Sequence, residues 1–524
     1  MKPKERLLKI CDVLFGYELF RTVALVMVML RSCALLNPII GPFVKLTVVW
    51  AVLILAKDLF TEQLLFKNRF RLVLYLFMIS YGVTTLLNRS EHFARNIAIL
   101  GYLAVSMLVL YAYNPKKPAG RVKTELLRFS HVFLFVAFFG QFLSLLGFFL
   151  NINFSYQMDG YPYYFGIVEG RLWGFFSNPN SGSLYALICL MLTVLCKLIQ
   201  KSAAPKFLRV FYWVNLVVQA LVFFLCNSRA NLLVACFFIA LYILMSRLPD
   251  LIESWPDKKA RLEKLRGTAV LCIMLPLALL GADAYAGKIL PSFVIQNSAI
   301  SDQLTEGLDS YVGGVSSIAS VADSEDLERS DYGSKLGGRY FLWQAGTEIV
   351  KHSPLFGVGN ENVVDHAYRY AARYFTNYGA NVYLPGIEGA GMHNLLFQLA
   401  AASGLVGLGI FVVFLFMLLI RMARYYIWMV KNNRINQVAV ACGCILVSIL
   451  LRTMLDSGIV YGLLEQGVVF WSLAGVFVYF SDVEYKGKKP LGARLLNKAD
   501  RAELFRFRPA FRLKPQAKKS QRGA

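Results

Sequence analysis

The chain is predicted to be an all-α, polytopic integral membrane protein, and three observations carry that expectation. Of its 524 residues, 57% are hydrophobic and only 17% are charged. The apolar residues come in continuous runs of about 18–22, the length that crosses a hydrocarbon core as helix. Lysine and arginine gather in the short segments between those runs, as expected for loops held on one side of a membrane. Lipid offers the backbone no hydrogen-bond partners, so the runs must be helices or strands of a closed barrel. Barrel strands would read as short alternating segments, and these runs do not alternate.

About 12 spans follow from the pattern. The first covers roughly 15–36 and stops at Asn37-Pro38; the second covers 43–60, the third 72–87, the fourth 96–113 and the fifth 129–150. A polar, aromatic loop, 151–181, precedes a sixth span at 182–199 and a seventh at 207–225. A tight Asn227-Ser228-Arg229 corner opens the eighth at 230–246; a charged segment, 247–266, reads as a surface helix before the ninth at 267–286. A long polar loop, 288–392, leads to a tenth span that starts near His393 and ends at Arg421, too long for one straight crossing, so its first part is expected to be tilted or re-entrant. The eleventh covers 437–457 and the twelfth 461–480. The resulting division is 1–287, 288–392, 393–480 and a basic tail at 481–524.

A formal charge of +23 suggests a nucleic-acid partner, but its placement argues against one. Both termini inside would put the basic segments 61–71, 114–128, 200–206, 247–266, 421–436 and the tail, with its 13 Lys and Arg, in the cytoplasm. The tail then anchors on anionic lipid. The loop 288–392 would face outward with 7 basic and 12 acidic residues. The nine cysteines sit in or beside apolar runs without zinc-type spacing and read as buried hydrophobes. No HExxH, Cys/His cluster or P-loop is present, so neither metal nor cofactor is expected. A cleavable signal peptide is not evident.

Within the loop, 339–352 has helical character and Pro354 marks its end. Gly357-Val358-Gly359-Asn360 reads as a turn, and 361–375 as a second helix in which Asp365 and Arg369 are spaced to pair. A Gly-rich connector, 379–392, returns the chain to His393. Three ionisable residues on the outward side stand out: Arg229, Arg339 and His393. Charge near membrane depth marks a functional site by default. Arginine grips phosphate oxygens bidentately and histidine exchanges a proton near neutral pH. The set suits transfer from a phosphate-linked donor, the arginines stabilising the leaving diphosphate and the imidazole taking a proton from an attacking hydroxyl. The same residues could equally be interfacial arginines reaching lipid phosphate and a helix-capping histidine.

The segments Ser228-Arg229-Ala230, Gly338-Arg339 with Trp343, His352-Ser353-Pro354-Leu355-Phe356-Gly357-Val358-Gly359, His393-Asn394-Leu395 and Gly404-Leu405-Val406-Gly407 resemble the O-antigen ligase and polymerase family of bacterial membrane glycosyltransferases. Arg171-Leu172-Trp173-Gly174-Phe175 with Asn178-Pro179-Asn180 adds to the likeness, which covers roughly 170–420. It implies about 12 helices with one large extracytoplasmic helical loop in a bacterial plasma membrane. It also implies transfer of a glycan from undecaprenyl diphosphate to an acceptor glycan, lipid or protein, without metal. Arg229 and Arg339 would hold the donor diphosphate, Arg171 would contribute to it, and His393 would serve the acceptor. His352 would cap a helix; His366 and Arg373 have no matched role. A chain-length regulator or a flippase is a candidate partner. The rival expectation is a lipid-linked sugar transporter, which would show repeated halves and broken helices at the midplane.

Overall fold

The computed structural model describes residues 10–33, 35–158, 161–168, 170–176, 178–254, 257–294, 302–307, 309, 315–317, 339–376 and 391–485. Its helices are α1 (Tyr17–Arg31), α2 (Asn37–Phe60), α3 (Arg71–Leu87), α4 (Phe93–Ala104, passing into a π-helix at Val105–Leu110), α5 (Ala119–Phe149), α6 (Pro179–Gln200) and α7 (Lys206–Leu225). After them come α8 (Arg229–Glu253), α9 (Lys258–Ile289), α10 (Arg339–His352), α11 (Val363–Thr376), α12 (Leu395–Lys431), α13 (Gln437–Thr453) and α14 (Glu465–Glu484).

Among the described residues, nine helices are long and apolar enough to cross a membrane: α2, α4 with its π extension, α5 to α9, α12 and α14. The expected count of about 12 is therefore not reached by that measure. The 17-residue helices α3 and α13 are apolar but short. At 1.5 Å per residue they extend about 25 Å, less than a hydrocarbon core of about 30 Å. Helix α1 has 15 residues.

Burial sorts the helices. In α14, 89% of the most apolar window is buried, whereas in α9 none of it is. Helix α14 is thus the axis of the bundle and α9 lies at its rim. Trp471 of α14 is wholly buried and donates from Nε1 to the Ile459 carbonyl at 2.7 Å. The outer faces of α2 and α9 carry exposed Val, Leu, Ile and Met, as a lipid-facing surface requires.

Three segments depart from expectation. The stretch 247–266 is not a separate surface helix; α8 runs on to Glu253 and α9 starts at Lys258 behind an Asp257 cap that accepts from the Lys259 and Ala260 amides. The charged residues are simply the ends of two long helices. The loop at 151–181 contains strands β1 (Phe154–Met158), β2 (Tyr161–Val168) and β3 (Arg171–Trp173), which join β4 (Val315–Ser317) in an antiparallel sheet of order β3-β2-β1-β4. The fold is helical apart from this small sheet, whose inner face buries Phe154, Tyr156, Ile167 and Leu172. Finally, α13 stops at Thr453 and α14 starts at Glu465, leaving an irregular segment, 454–464, where a helix end was expected.

The polar loop after α9 has its own small core. Leu342, Ala345 and Ile349 of α10, Val358, and Val363, Ala367 and Ala371 of α11 pack against Met392, Ala401 and Ala402. The connector at 379–390, Gly338 and the tail beyond Tyr485 lie outside the described residues.

Helix α12 is broken. Gly404 has φ 65° and ψ −175°, a conformation open essentially to glycine alone. The break is filled by the Pro354–Gly359 turn. The Val358 and Gly359 amides donate to the Ala401 and Ala402 carbonyls (3.0 and 2.9 Å), and the Leu405 and Val406 amides donate to Pro354 and Leu355 (2.8 and 3.1 Å). A Cβ on Gly404 would sit 2.2 Å from the Leu355 carbonyl oxygen, and one on Gly357 (φ 65°) would sit 2.5 Å from that of Ala401. The two glycine motifs of the sequence are thus the halves of one backbone latch. The chain from 395 to 431 is thus two helical pieces in place of one straight crossing.

Candidate functional site

The latch decides where His393 lies. Asn394 is the N-cap of α12; its Oδ1 accepts from the Leu396 and Phe397 amides, and its Nδ2 donates to the Met454 carbonyl at 2.8 Å. His393, just before it, takes φ 46°, a left-handed conformation that costs a non-glycine residue about 1–2 kcal/mol. Its Nδ1 lies 3.3 Å from Asp456 Oδ1, an ion-pair contact without hydrogen-bond alignment.

Asp456 stands in the segment after α13. Its Oδ2 accepts from Arg452 Nη2 at 2.7 Å, and Arg452 Nε donates to Asn231 Oδ1 at 2.5 Å. Asn231 Nδ2 donates to the Asn180 carbonyl at 3.0 Å, while Asn180 Oδ1 accepts from Ser228 Oγ (3.1 Å) and Arg171 Nη2 (2.8 Å). Arg171 Nε also donates to the Cys226 carbonyl at 3.0 Å. One continuous polar chain therefore runs Arg171–Asn180–Asn231–Arg452–Asp456–His393. It joins β3, α6, α8, α13 and the start of α12 at one end of the bundle.

Electrostatics at Asp456 favour its charged form. Burial by itself would raise the Asp456 carboxyl, but the Arg452 guanidinium and the His393 imidazole outweigh it and hold it well below the usual carboxylate range. Arg452 is buried, at 3% exposure, and its Nη1 has no hydrogen-bond partner among the described residues.

The four residues expected from the sequence are placed as follows. Arg171 and His393 are the two ends of the chain just traced. Arg229 is exposed and opens α8 directly after Ser228, a member of the same network. Arg339 is the first residue of α10; one turn on, Trp343 Nε1 donates to the Met392 carbonyl at 3.1 Å and the indole stacks on Phe397. The start of α10 is thus tied to the residue preceding His393.

Other sequence expectations resolve differently. His352 Nδ1 donates to the Glu348 carbonyl (2.9 Å) and the ring stacks on Tyr370, a role internal to the loop. Asp365 and Arg369 do not pair with each other. Asp365 meets His92 at 2.8 Å, and Arg369 and His366 both meet Glu91 at 3.0 and 2.7 Å. This half-exposed helix face docks against the 88–92 corner. The hydrogen bond from His366, then that from Arg369, hold the Glu91 carboxyl below its ordinary range. His131 meets the Tyr212 hydroxyl at 2.6 Å.

Asn231, Arg452 and Asp456 went unnoticed in the sequence. The expected eighth and eleventh spans, 230–246 and 437–457, enclose all three, so they read as ordinary helix positions. The signal was there: an Arg and an Asp four residues apart within an apolar run. Among the described residues, no group of three or more His, Cys, Asp or Glu side chains is arranged to hold a metal ion.

Comparison with known proteins adds an independent line. A stretch of 102 residues is 34% identical to the exopolysaccharide production protein ExoQ of Rhizobium meliloti (strain 1021), covering 19% of this chain and 22% of that protein. The chain therefore spans about a fifth of the length of the curated relative it matches. Residues 214–412 match the family model described as O-antigen ligase, a segment that contains Arg229, Arg339 and His393 but not Arg171, Arg452 or Asp456. These similarities support a broad O-antigen ligase/polymerase-like relationship for this multi-pass membrane protein.

Proposed function

We propose that this chain is a membrane glycosyltransferase. It moves an oligosaccharide from undecaprenyl diphosphate to an acceptor hydroxyl at the outer face of a bacterial plasma membrane, as a polymerase or a ligase in surface polysaccharide synthesis. The observation that carries this reading is the polar chain from Arg171 to His393, closed by a buried Arg452–Asp456 pair. Arg229, Arg339 and Arg171 would face the donor diphosphate, where fixed guanidinium charge stabilises the leaving group. Asp456 faces His393 Nδ1, so Nε2 is the ring nitrogen left to act as base. The acceptor oxygen bonds to the anomeric carbon as its proton passes to Nε2. The bond from that carbon to the phosphate oxygen breaks, and the lipid diphosphate leaves with the electron pair. Direct displacement inverts the carbon, and no step calls for a metal.

The break in α12 favours a second reading, a lipid-linked sugar transporter, because such proteins bind at broken helices. Here the break is occupied by the Pro354–Gly359 turn, which supports the enzyme.

Reconstitution with a synthetic lipid-diphosphate oligosaccharide and candidate acceptors, with mass analysis of products, separates the two. His393→Ala should insert normally and lose about 10²–10⁴-fold in turnover, the usual worth of a general base. Arg339→Lys should be severely impaired because an ammonium cannot make the bidentate contact. Wild-type product yield from His393→Ala would remove the mechanism; translocation without any new glycosidic bond would establish the transporter.

A further inference from the structure

His393 is held in a left-handed backbone conformation that its own chemistry does not favour, so its neighbours must impose it. On the side of Asn394 the constraint is the helix cap and the bond to Met454. On the other side it is a ladder of side-chain amides. The Met392 amide donates to Gln398 Oε1 at 2.8 Å. Gln398 Nε2 donates to Asn360 Oδ1 at 2.7 Å, and the Asn360 amide donates to the Tyr81 hydroxyl at 3.1 Å. Tyr81 in turn donates to Asn96 Oδ1 at 2.7 Å, and Asn96 Nδ2 donates to Asn362 Oδ1 at 3.2 Å.

The ladder is buried except at the half-buried Asn360: Gln398 is 5% exposed, Tyr81 and Asn362 0%, and Asn96 1%. It connects α3, α4, the 3₁₀ turn at Asn360–Asn362 and α12. Gln398 is its hinge piece. One amide group satisfies both the backbone donor next to His393 and the Asn360 side chain that follows the Gly357-Val358-Gly359 turn.

We propose that Gln398 and Asn360 are positioning residues for His393, transmitting the placement of the 354–360 turn to the imidazole through the Met392 amide. The inference rests on the reading of His393 as the acceptor-side base. In the latch the backbone joins loop to helix; in this ladder side chains carry the same placement one step further. A misplacement of about 1 Å at a reacting group costs roughly a hundredfold in rate, so the ladder is worth far more to turnover than to donor affinity.

The test combines kinetics with histidine spectroscopy on the full-length protein in nanodiscs. The chain has five histidines, so selective ¹⁵N-histidine labelling gives a spectrum in which His393→Ala assigns the signal in question. Asn360→Ala and Gln398→Ala should shift the His393 ¹⁵N resonances while leaving the other four in place. Turnover should fall by about ten- to a hundredfold, with KM for the lipid-linked donor within about twofold. Asn360→Asp keeps the oxygen that accepts from Gln398 and should restore both the resonance and most of the rate. An unchanged His393 signal in Asn360→Ala and Gln398→Ala overturns the proposal whatever the activity. So does a shift spread over all five histidines, or a loss confined to donor KM. If Gln398→Ala does not fold, the Asn360→Ala and Asn360→Asp pair decides alone. Full activity of His393→Ala would instead overturn the catalytic reading. A dead His393→Ala beside wild-type turnover in both ladder variants would leave that reading intact and remove the positioning role.

Discussion

Both ends of the bundle carry a buried arginine paired with a half-buried aspartate, Arg452–Asp456 at one and Arg421–Asp482 at the other, and they are completed differently. Asp482 accepts from Arg421 Nη2 (3.0 Å), Arg69 Nε (2.6 Å) and the Tyr113 hydroxyl (2.5 Å). Arg421 also donates to the Ser481 hydroxyl and to the Ser481 and Tyr485 carbonyls, and lies over the Tyr485 ring. The Nε and Nη2 donors of that guanidinium go to the protein itself. At the His393 end, Arg452 Nη1, His393 Nδ1 and Gln466 Oε1 are buried without a hydrogen-bond partner among the described residues. The exposed Arg229 opens a helix beside the same network. Buried polar groups are normally hydrogen-bonded, and each exception calls for a physical reason; others lie elsewhere in the bundle, Tyr17 Oη and Asp58 Oδ1 among them. One pair clamps the C-terminal end of α14 to α12 and to the start of α3; the other belongs to the proposed site.

Four changes break or sharpen that contrast. The largest effect is expected from Asp456→Asn, which removes the charge facing His393 and leaves Arg452 buried without its carboxylate. Turnover should drop by about a hundredfold or more with the protein still inserted and folded; near-normal rates in reconstituted membranes would end the assignment of this end as the site. Gly404→Ala comes next. It forces a Cβ against the Leu355 carbonyl oxygen in a glycine-only conformation, so the latch should open at a cost of about 2–3 kcal/mol. Faster hydrogen exchange in 354–359 and 395–406 would report it, and unchanged protection there would show that the latch does not depend on this residue.

Asp482→Asn should do the reverse of Asp456→Asn. Loss of a mostly buried charge between two arginines should lower stability by roughly 2–3 kcal/mol, discounted for its partial exposure. Activity per folded molecule should stay within about twofold; a catalytic defect without destabilisation would erase the distinction between the two ends. The smallest effect belongs to the exposed clamp that docks α11 on the 88–92 corner. Glu91 is held below its ordinary range by His366 and Arg369. Its contribution is therefore fully present above the unfolded carboxylate value of about 4.3 and is lost as pH falls through the lower folded value. Glu91→Gln should make exchange in 363–371 roughly two- to fivefold faster at neutral pH, and the wild type should approach the variant only in strong acid. Identical exchange in the two proteins at neutral pH would show that α11 is held by its apolar face alone.

Much of this was readable in advance, and the parts that were not have a common cause. Continuous apolar runs located the helices, because lipid permits no other way to satisfy their backbone. Helices α5 and α9 nevertheless start about ten residues before their apolar runs and α12 ends about ten residues past its own, where charged turns continue the helix. The turn at Pro354, the two loop helices and the irregular start of α12 followed from proline, glycine and hydrophobic spacing. The resemblance pointed to Arg229, Arg339 and His393 on the strength of local motifs. Sequence alone could not show that the Pro354–Gly359 and Gly404–Gly407 motifs meet, since about fifty residues separate them and only their backbones touch. It could not pair Asp365 with His92 in place of Arg369, because a helix-face rule sees only its own helix. Nor could it join Arg171 to His393. That chain passes through Asn180, Asn231, Arg452 and Asp456, drawn from three separate segments, and a hydrogen bond between distant segments exists only once packing has brought their ends together.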